Sequence, residues 1–417
     1  AERADRLAER IQVSTSPIPS RGILINSRKT LPEDFLSHPL LTDLVVITEP
    51  PYAGNFGDRD VRLVDDINDV LAVRRIVADI FAEMGEMPVL APSEHAVLTA
   101  GYLRSYFGLP GLGFDTANRF ANKLAMKLAL RAAGLPVTSF ARLDRLDDIA
   151  EFGKTHGWPV IVKPSFGGGA VNVVRIDSPE DAAALRDSDA GRALLATGVP
   201  LLAERYVNVE IEYEIDAVVE HGRTVFSMVS EYLKPLLGGG LCAAVEVEDP
   251  DLLKRFEELH QRVVEAMGLD AGVTHLEVFG VGSELVVGEI ACRPGGAAVV
   301  PSIRSARGVD LWGALIETSL NRPVTLEQHV RKGIHGWGVL PVNRGTIVSM
   351  TEPDTLRALP GVVDVSMTHQ VGDTVNYRMF SAAGSGEFLI QGDDAPEAWT
   401  RLRDVFKTFT IEVRDLE

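Results

Sequence analysis

Glu277 and Glu289 are the pair of residues whose types and spacing best suit shared chemistry. They lie in the stretch Thr274 to Arg293, THLEVFGVGSELVVGEIACR. Runs rich in Val, Ile, Leu and Phe at 275–281 and 285–291 flank Gly282-Ser283-Glu284, the pattern of a β-hairpin with a loop of about three residues. With that loop, residues facing each other across the ladder have numbers summing to 566, which sets Glu277 opposite Glu289. Cross-strand Cβ atoms are about 5 Å apart, where two like charges repel by roughly 3 kcal/mol at an effective dielectric of about 20. Something positive should therefore sit between them. Arg293 is an even number of residues beyond Glu289 and projects from the same face of a regular strand. Hard oxygen ligands beside one guanidinium suit Mg²⁺ carrying a nucleotide's phosphates; the plain alternative is a solvated strand face.

Other residues extend this chemistry. In PVIVKPSFGGGAVNVVRI, Lys163 interrupts an apolar strand and Gly167, Gly168 and Gly169 follow. Successive glycines let backbone N–H groups approach a polyanion, and a lysine at the loop's root offers it a point charge. The loop lacks the GK[ST] ending of a Walker motif, and a flexible hairpin is the alternative reading. Lys123 and Lys127 are one helical turn apart. In IEYEIDAVV, Glu212, Glu214 and Asp216 share one strand face; they are either solvated or border a nucleotide. Upstream, LLAERYV runs from apolar strand into a polar turn whose backbone suits an adenine edge. Beyond Arg293, Ser302, Arg304 and Arg307 follow a glycine turn, and Lys234 precedes LLGGGLC. Arginines there suit a substrate carboxylate, and the LLGGGLC loop suits closure over an acceptor. His275 is expected to face the opposite side of a regular strand from Glu277, as a structural residue.

Several elements must position these groups. From Arg21, strands (22–26, 41–51, 87–93) alternate with helices (68–84, 94–108), which implies a parallel sheet of the doubly wound sort. Ile25 is followed by NSRKT, so the dinucleotide-binding glycine turn is absent. Residues 1–117 are thus expected to form an α/β domain walling a substrate site. The segment 118–134 is expected to be one helix ended by Gly134, followed by a small subdomain to 204 and a central catalytic subdomain over 205–330. From 331 to 417, short strands and the helix PEAWTRLRDVFKTF predict a β-rich C-terminal domain that packs, shapes the pocket or dimerises.

Composition narrows the function classes. Asp and Glu outnumber Lys and Arg, 59 to 41, for a formal charge of −18, which argues against nucleic acid or an anionic membrane as partner. Two cysteines support neither a disulfide framework nor a thiolate cluster, and a reducing cytoplasm fits best. The segment AERADRLAERIQ is expected to be a charged amphipathic helix rather than a signal peptide.

In their order, NK, VKP with its glycine loop, AERYV, E-x-Y-x-I-D and HLEV…GEIACR resemble the ATP-grasp superfamily over roughly residues 85–325. The chain is most similar to its carboxylate–amine ligases, including those that make dipeptides. The resemblance implies an α/β fold with an N-terminal doubly wound domain, a lid subdomain and a β-rich C-terminal domain. It implies that Lys123 and Lys163 contact ATP phosphates under the loop Gly167–Gly169, that Glu204 and Val207 sit at the adenine, and that Glu212 meets the ribose. Glu277 and Glu289 would hold Mg²⁺, with Mn²⁺ as a substitute, and Arg293 would stabilise an acyl phosphate. Arg304, Lys234 and Ser302 are candidates for the small-molecule carboxylate and amine substrates. The sequence departs from the family's usual asparagine ligand at Ala291. A biotin-carboxylase-like enzyme is the first rival, although Pro294-Gly295-Gly296-Ala297 replaces that family's bicarbonate segment; a nucleotide-binding protein with a degenerate site is the second.

Overall fold

The computed structural model describes residues 20–28, 30–237, 241–329, 331–377 and 383–415. The charged segment expected at 1–12 and residues 238–240 of the LLGGGLC loop lie outside them.

The first sheet is parallel, with strands in the order Asp60–Leu63, Leu41–Thr48, Ser20–Ile25, Val89–Leu90. Its first strand, at 60–63, was not legible in the alternation. Ile23, Leu24 and Ile25 are all fully buried because both sheet faces are covered, the usual condition of a parallel sheet. Helices Val70–Met84 and Glu94–Phe107 pack on one face. On the other, Leu24, Leu44 and Val46 meet Val299, Trp312 and Leu315 from two helices nearly 300 residues later in the chain, Val299–Arg307 and Leu311–Ser319. Each such buried aliphatic side chain contributes about 1.5–3 kcal/mol. That shared core fixes the N-terminal sheet against the catalytic region, so the helix beginning at Glu94 can reach it.

The helix expected over 118–134 is two helices, Phe114–Ala121 and Lys123–Ala132. Asn122 breaks it with an extended backbone (φ −104°, ψ 104°), and its side-chain oxygen accepts from the Leu124 and Ala125 N–H groups. Asparagine is a strong N-cap. Lys123 thereby becomes the first residue of a new helix, its own N–H bonded to Ser165 O at 2.8 Å.

A four-stranded antiparallel sheet follows, in the order Phe140–Leu143, Leu201–Arg205, Val160–Pro164, Val174–Ile176. It carries the glycine loop between its last two strands. The largest sheet has eight strands, in the order Glu284–Ala291, Gly272–Val281, Ile211–Glu220, Arg223–Tyr232, Ala243–Glu246, Ile334–Leu340, Gly386–Gly392, Val362–Met367. Its pairing runs straight across the composition change at 331. A three-stranded sheet and the helix Ala395–Thr408 complete the C-terminal part. Among the described residues no helix is long and apolar enough to cross a membrane.

Candidate active site

The hairpin brings Glu277 opposite Glu289, by a route different from the one expected. Val281 pairs with Glu284, so the loop is Gly282-Ser283 alone, one residue shorter. The register then shifts between Glu277 and Val278, where Gly288 is the extra residue, and the bulge restores the pairing that the shorter loop would have moved. Glycine keeps that position uncrowded: a Cβ on Gly288 would lie 2.8 Å from Phe279 Cζ and 3.2 Å from Glu277 O.

On the neighbouring strand, Glu214 is the partner of Glu277 and Asp216 the partner of His275. His275 therefore shares the face of Glu277, as the two-residue period of a strand requires, and the expectation of an opposite face is corrected. Its Nδ1 lies 2.9 Å from Asp216 Oδ1. Burial alone would lower the imidazole's pKa, but Asp216 outweighs it and holds it up at about 9. Gly295 closes over this pair, since a Cβ there would lie 2.9 Å from Asp216 Oδ1 and 3.0 Å from His275 Nδ1. Glu212, Glu214 and Asp216 are all buried, so the solvated reading of that strand face does not hold. Burial, then Glu277, lifts the Glu212 carboxyl to about 8; its Oε2 accepts from Leu236 N at 2.7 Å.

The cations converge from other elements. Lys123 Nζ lies 2.8 Å from Glu289 Oε1 and 3.8 Å from Glu94 Oε1, and it also donates to Gly167 O. Burial works against its charge, while Glu289 and Glu94 together raise its pKa. Arg293 Nη2 lies 2.8 Å from Glu94 Oε2. A Cβ on Gly168 would come within 2.9 Å of that same oxygen. Gly167 and Gly169 take positive φ of 106° and 64°, which a side chain would strain. Lys163 Nζ lies 2.7 Å from Glu204 Oε1, and Lys127 Nζ lies 3.0 Å from Glu204 Oε2, with Thr138 Oγ1 donating to the latter oxygen at 2.8 Å. Burial disfavours the Glu204 charge, yet the two lysines hold its pKa at about 2. The Glu204 carboxylate is thus committed to lysines, and Val207 lies just past its strand.

Two sequence candidates stand elsewhere. Arg304 is on the far side of its helix, bonded to Asp34 at 2.6 Å and Asp310 at 2.9 Å near the surface. Ser302, two residues away and so about 200° round the helix, is buried with its hydroxyl unpartnered. Arg307, from the end of that helix, meets Glu246. Lys234 is exposed and makes no hydrogen bond or ion pair among the described residues. Glu94 was missed, because its only local signature is an acidic residue in a first helical turn, 199 residues from Arg293.

Glu277 and Glu289 offer facing carboxylates; Glu289 is paired with Lys123, while burial with Glu289 raises the Glu277 pKa against the pull of His275, Lys163 and Lys123 nearby. An all-oxygen donor pair short of positive charge fits a hard divalent cation.

Residues 128–300 match the ATP-grasp domain family, and residues 339–414 match L-amino acid ligase C-terminal domain 2. The L-arginine-specific L-amino acid ligase of Bacillus subtilis is 32% identical over 378 residues, spanning 87% of this chain and 90% of that protein. The chain belongs to the L-amino acid ligases of the ATP-grasp superfamily. The ligase shares its whole fold with the L-amino acid ligase structure from Bacillus licheniformis, at a TM-score of 0.76 and 19% identity over 96% of this chain and 100% of that one. It is also 29% identical over 284 residues to D-alanine–D-alanine ligase of Kineococcus radiotolerans, covering 60% of this chain and 74% of that one. The protein is an ATP-dependent, ADP-forming ligase that makes amide or peptide bonds, and ATP with Mg²⁺ serves the family.

Proposed function

We propose that this ligase joins an amino acid's carboxylate to the amine of a second through an acyl phosphate. The carboxylate attacks the γ-phosphorus of ATP and the bond to the β-phosphate oxygen breaks, releasing ADP. The amine then attacks the acyl carbon and phosphate leaves, so each cycle yields one amide, ADP and phosphate. Lys123 and Lys163 hold the phosphates from two sides, and the loop Gly167–Gly169 covers them with backbone N–H groups. The backbone near Glu204 and Val207 reads the adenine, and Glu212 takes the ribose. Glu277 and Glu289 hold Mg²⁺, or Mn²⁺ in its place, which neutralises phosphate charge when bound. Arg293 turns from Glu94 to the acyl phosphate, where it stabilises charge that builds as the phosphoryl group moves.

The observation that carries this reading is the meeting of Arg293, Lys123 and Gly168 around one carboxylate, Glu94, beside the Glu277–Glu289 pair. That arrangement suits a phosphorylated carboxylate. The division at 117, 204 and 330 is kept as a functional one, with the C-terminal part closing the pocket; a homodimer and a reducing cytoplasmic setting, consistent with two free buried cysteines, belong to the same proposal. Phosphate release from Mg·ATP across amino acids, singly and in pairs, tests it, with Glu289→Ala as control. Release that needs two amino acids and falls at least about 100-fold in the variant is expected. Release that needs bicarbonate instead would move the assignment to a carboxylase.

A further inference from the structure

Arg104 is a buried cation with no carboxylate to answer it. It is 5% exposed, on the helix Glu94–Phe107 whose first residue meets Arg293, and it forms no ion pair with any described residue. Two of its N–H groups donate to backbone carbonyls, Nη1 to Leu112 O at 3.2 Å and Nη2 to Val89 O at 2.7 Å. Its Nε–H meets no acceptor of the protein. Gly111, at φ 101°, keeps that side of the guanidinium uncrowded, since a Cβ there would lie 3.2 Å from Nε. Burial pulls the Arg104 pKa down to about 10, with only the Cys292 thiol set against it. The group therefore stays charged at neutral pH.

The guanidinium lines a cavity of about 30 Å³ between its own helix, the chain just past strand Glu284–Ala291 and the helix Leu311–Ser319. One water needs about 10–15 Å³ of such space, so the cavity suits a water or two, or a single ion of chloride's size, and excludes a carboxylate or phosphate ligand. No Asp or Glu lines it. Its other polar groups are neutral donors. Ser319, 6% exposed, brings a hydroxyl that bonds to no described residue. Cys292 brings a thiol that burial keeps protonated, with its pKa lifted to about 12. The Thr318 hydroxyl is already spent on Ala314 O and Leu315 O. Nor can the helix's last carbonyls answer Arg104, because the N–H groups of Leu320, Asn321 and Arg322 take them. A cation among neutral donors and apolar walls is costly until an anion meets it, and water offers only a dipole.

We infer that this cavity is a binding site for one small monovalent anion of chloride's size, held by Arg104 with Ser319 and Cys292 as further donors. Cys292 is the residue before Arg293, and Glu94 begins the helix that carries Arg104. The anion thus ties the N-terminal domain to the segment bearing Arg293 at a second point, behind the Glu94 contact. The inference is independent of the substrates of the ligase.

The test compares melting temperatures of the full chain in sodium chloride and in sodium gluconate, whose anion is too large for the cavity, at equal ionic strength. With a formal charge of −18, the surface as a whole does not attract anions, so a saturable effect reports a built site. Chloride is expected to give a saturable rise of about 3 °C that gluconate does not. Crystals grown in bromide are expected to show an anomalous peak in the cavity beside Arg104. Arg104→Met should abolish the chloride-dependent rise. If that variant does not fold, Ser319→Ala decides: half-saturating chloride rises about tenfold, and an unchanged value overturns the site. Equal melting in chloride and gluconate, or a water with no anomalous signal in the bromide crystals, also overturns it.

Discussion

Replacing Glu204 by glutamine tests the electrostatics of the side of the site proposed for phosphate. The carboxylate is buried between Lys127 and Lys163, at 3.0 and 2.7 Å, and its pKa falls from 4.5 to about 2. At 1.36 kcal/mol per pH unit, that fall corresponds to about 3 kcal/mol of folding stability. Burial pulls the Lys127 pKa down, so part of that gain is spent keeping the lysine charged, and about 3 kcal/mol is an upper figure for the trio. Because the folded pKa is depressed, the contribution is fully present above pH 4.5 and is lost as the pH falls toward 2. Glu204→Gln is therefore expected to lose about 2–3 kcal/mol at pH 7, by urea unfolding, with the gap to wild type narrowing between pH 5 and pH 3. Adding Lys127→Met should recover part of the loss, since it removes one of the stranded cations. KM for ATP should rise in the single variant, because Lys163 loses the partner that directs it. Equal stability of Glu204→Gln and wild type at pH 7, or a gap that stays constant down to pH 3, would refute the reasoning.

Other outcomes follow from single contacts. Gly168→Val puts a Cβ 2.9 Å from Glu94 Oε2; it should raise KM for ATP at least about tenfold with little change in melting temperature, and an unchanged KM would remove the loop from the phosphate site. Arg304→Ala breaks only part-exposed ion pairs, so stability should change by less than about 1 kcal/mol and kcat/KM by less than about twofold; a tenfold fall in kcat/KM would return Arg304 to the site.

Much of the candidate site was legible because it is periodic and local. A lysine at a strand end, three glycines, and acids at alternate strand positions each announce themselves within a few residues, and their order resembles one superfamily. The Glu277–Glu289 pairing was also legible, although two departures compensate: the loop is one residue shorter and the bulge at Gly288 adds one back. Hydrophobic alternation does not reveal a bulge, since that depends on what the extra residue meets across the sheet, here the Phe279 ring. His275 was misassigned against a rule the sequence itself supplies, because residues two apart on a strand share a face. The break at Asn122 was equally local, yet the surrounding helix formers masked its capping chemistry.

What the sequence alone determined is the order of most strands and helices, though not the strand at 60–63 or the break at Asn122, and the residue types whose chemistry suits phosphate, metal and carboxylate, because those depend on short-range periodicity and side-chain chemistry. Tertiary structure alone decided which charges answer one another. Glu94 meets Arg293 across 199 residues because Leu24 and Val46 share a core with Trp312 and Leu315. Arg304 turns outward because its helix buries the Ser302 side. Glu212, Glu214 and Glu277 stand without an ion pair among the described residues because the nearby cations meet Glu289, Glu94, Asp216 and Glu204. A buried charge is answered or left unanswered by packing across the whole chain, and no local pattern carries that information.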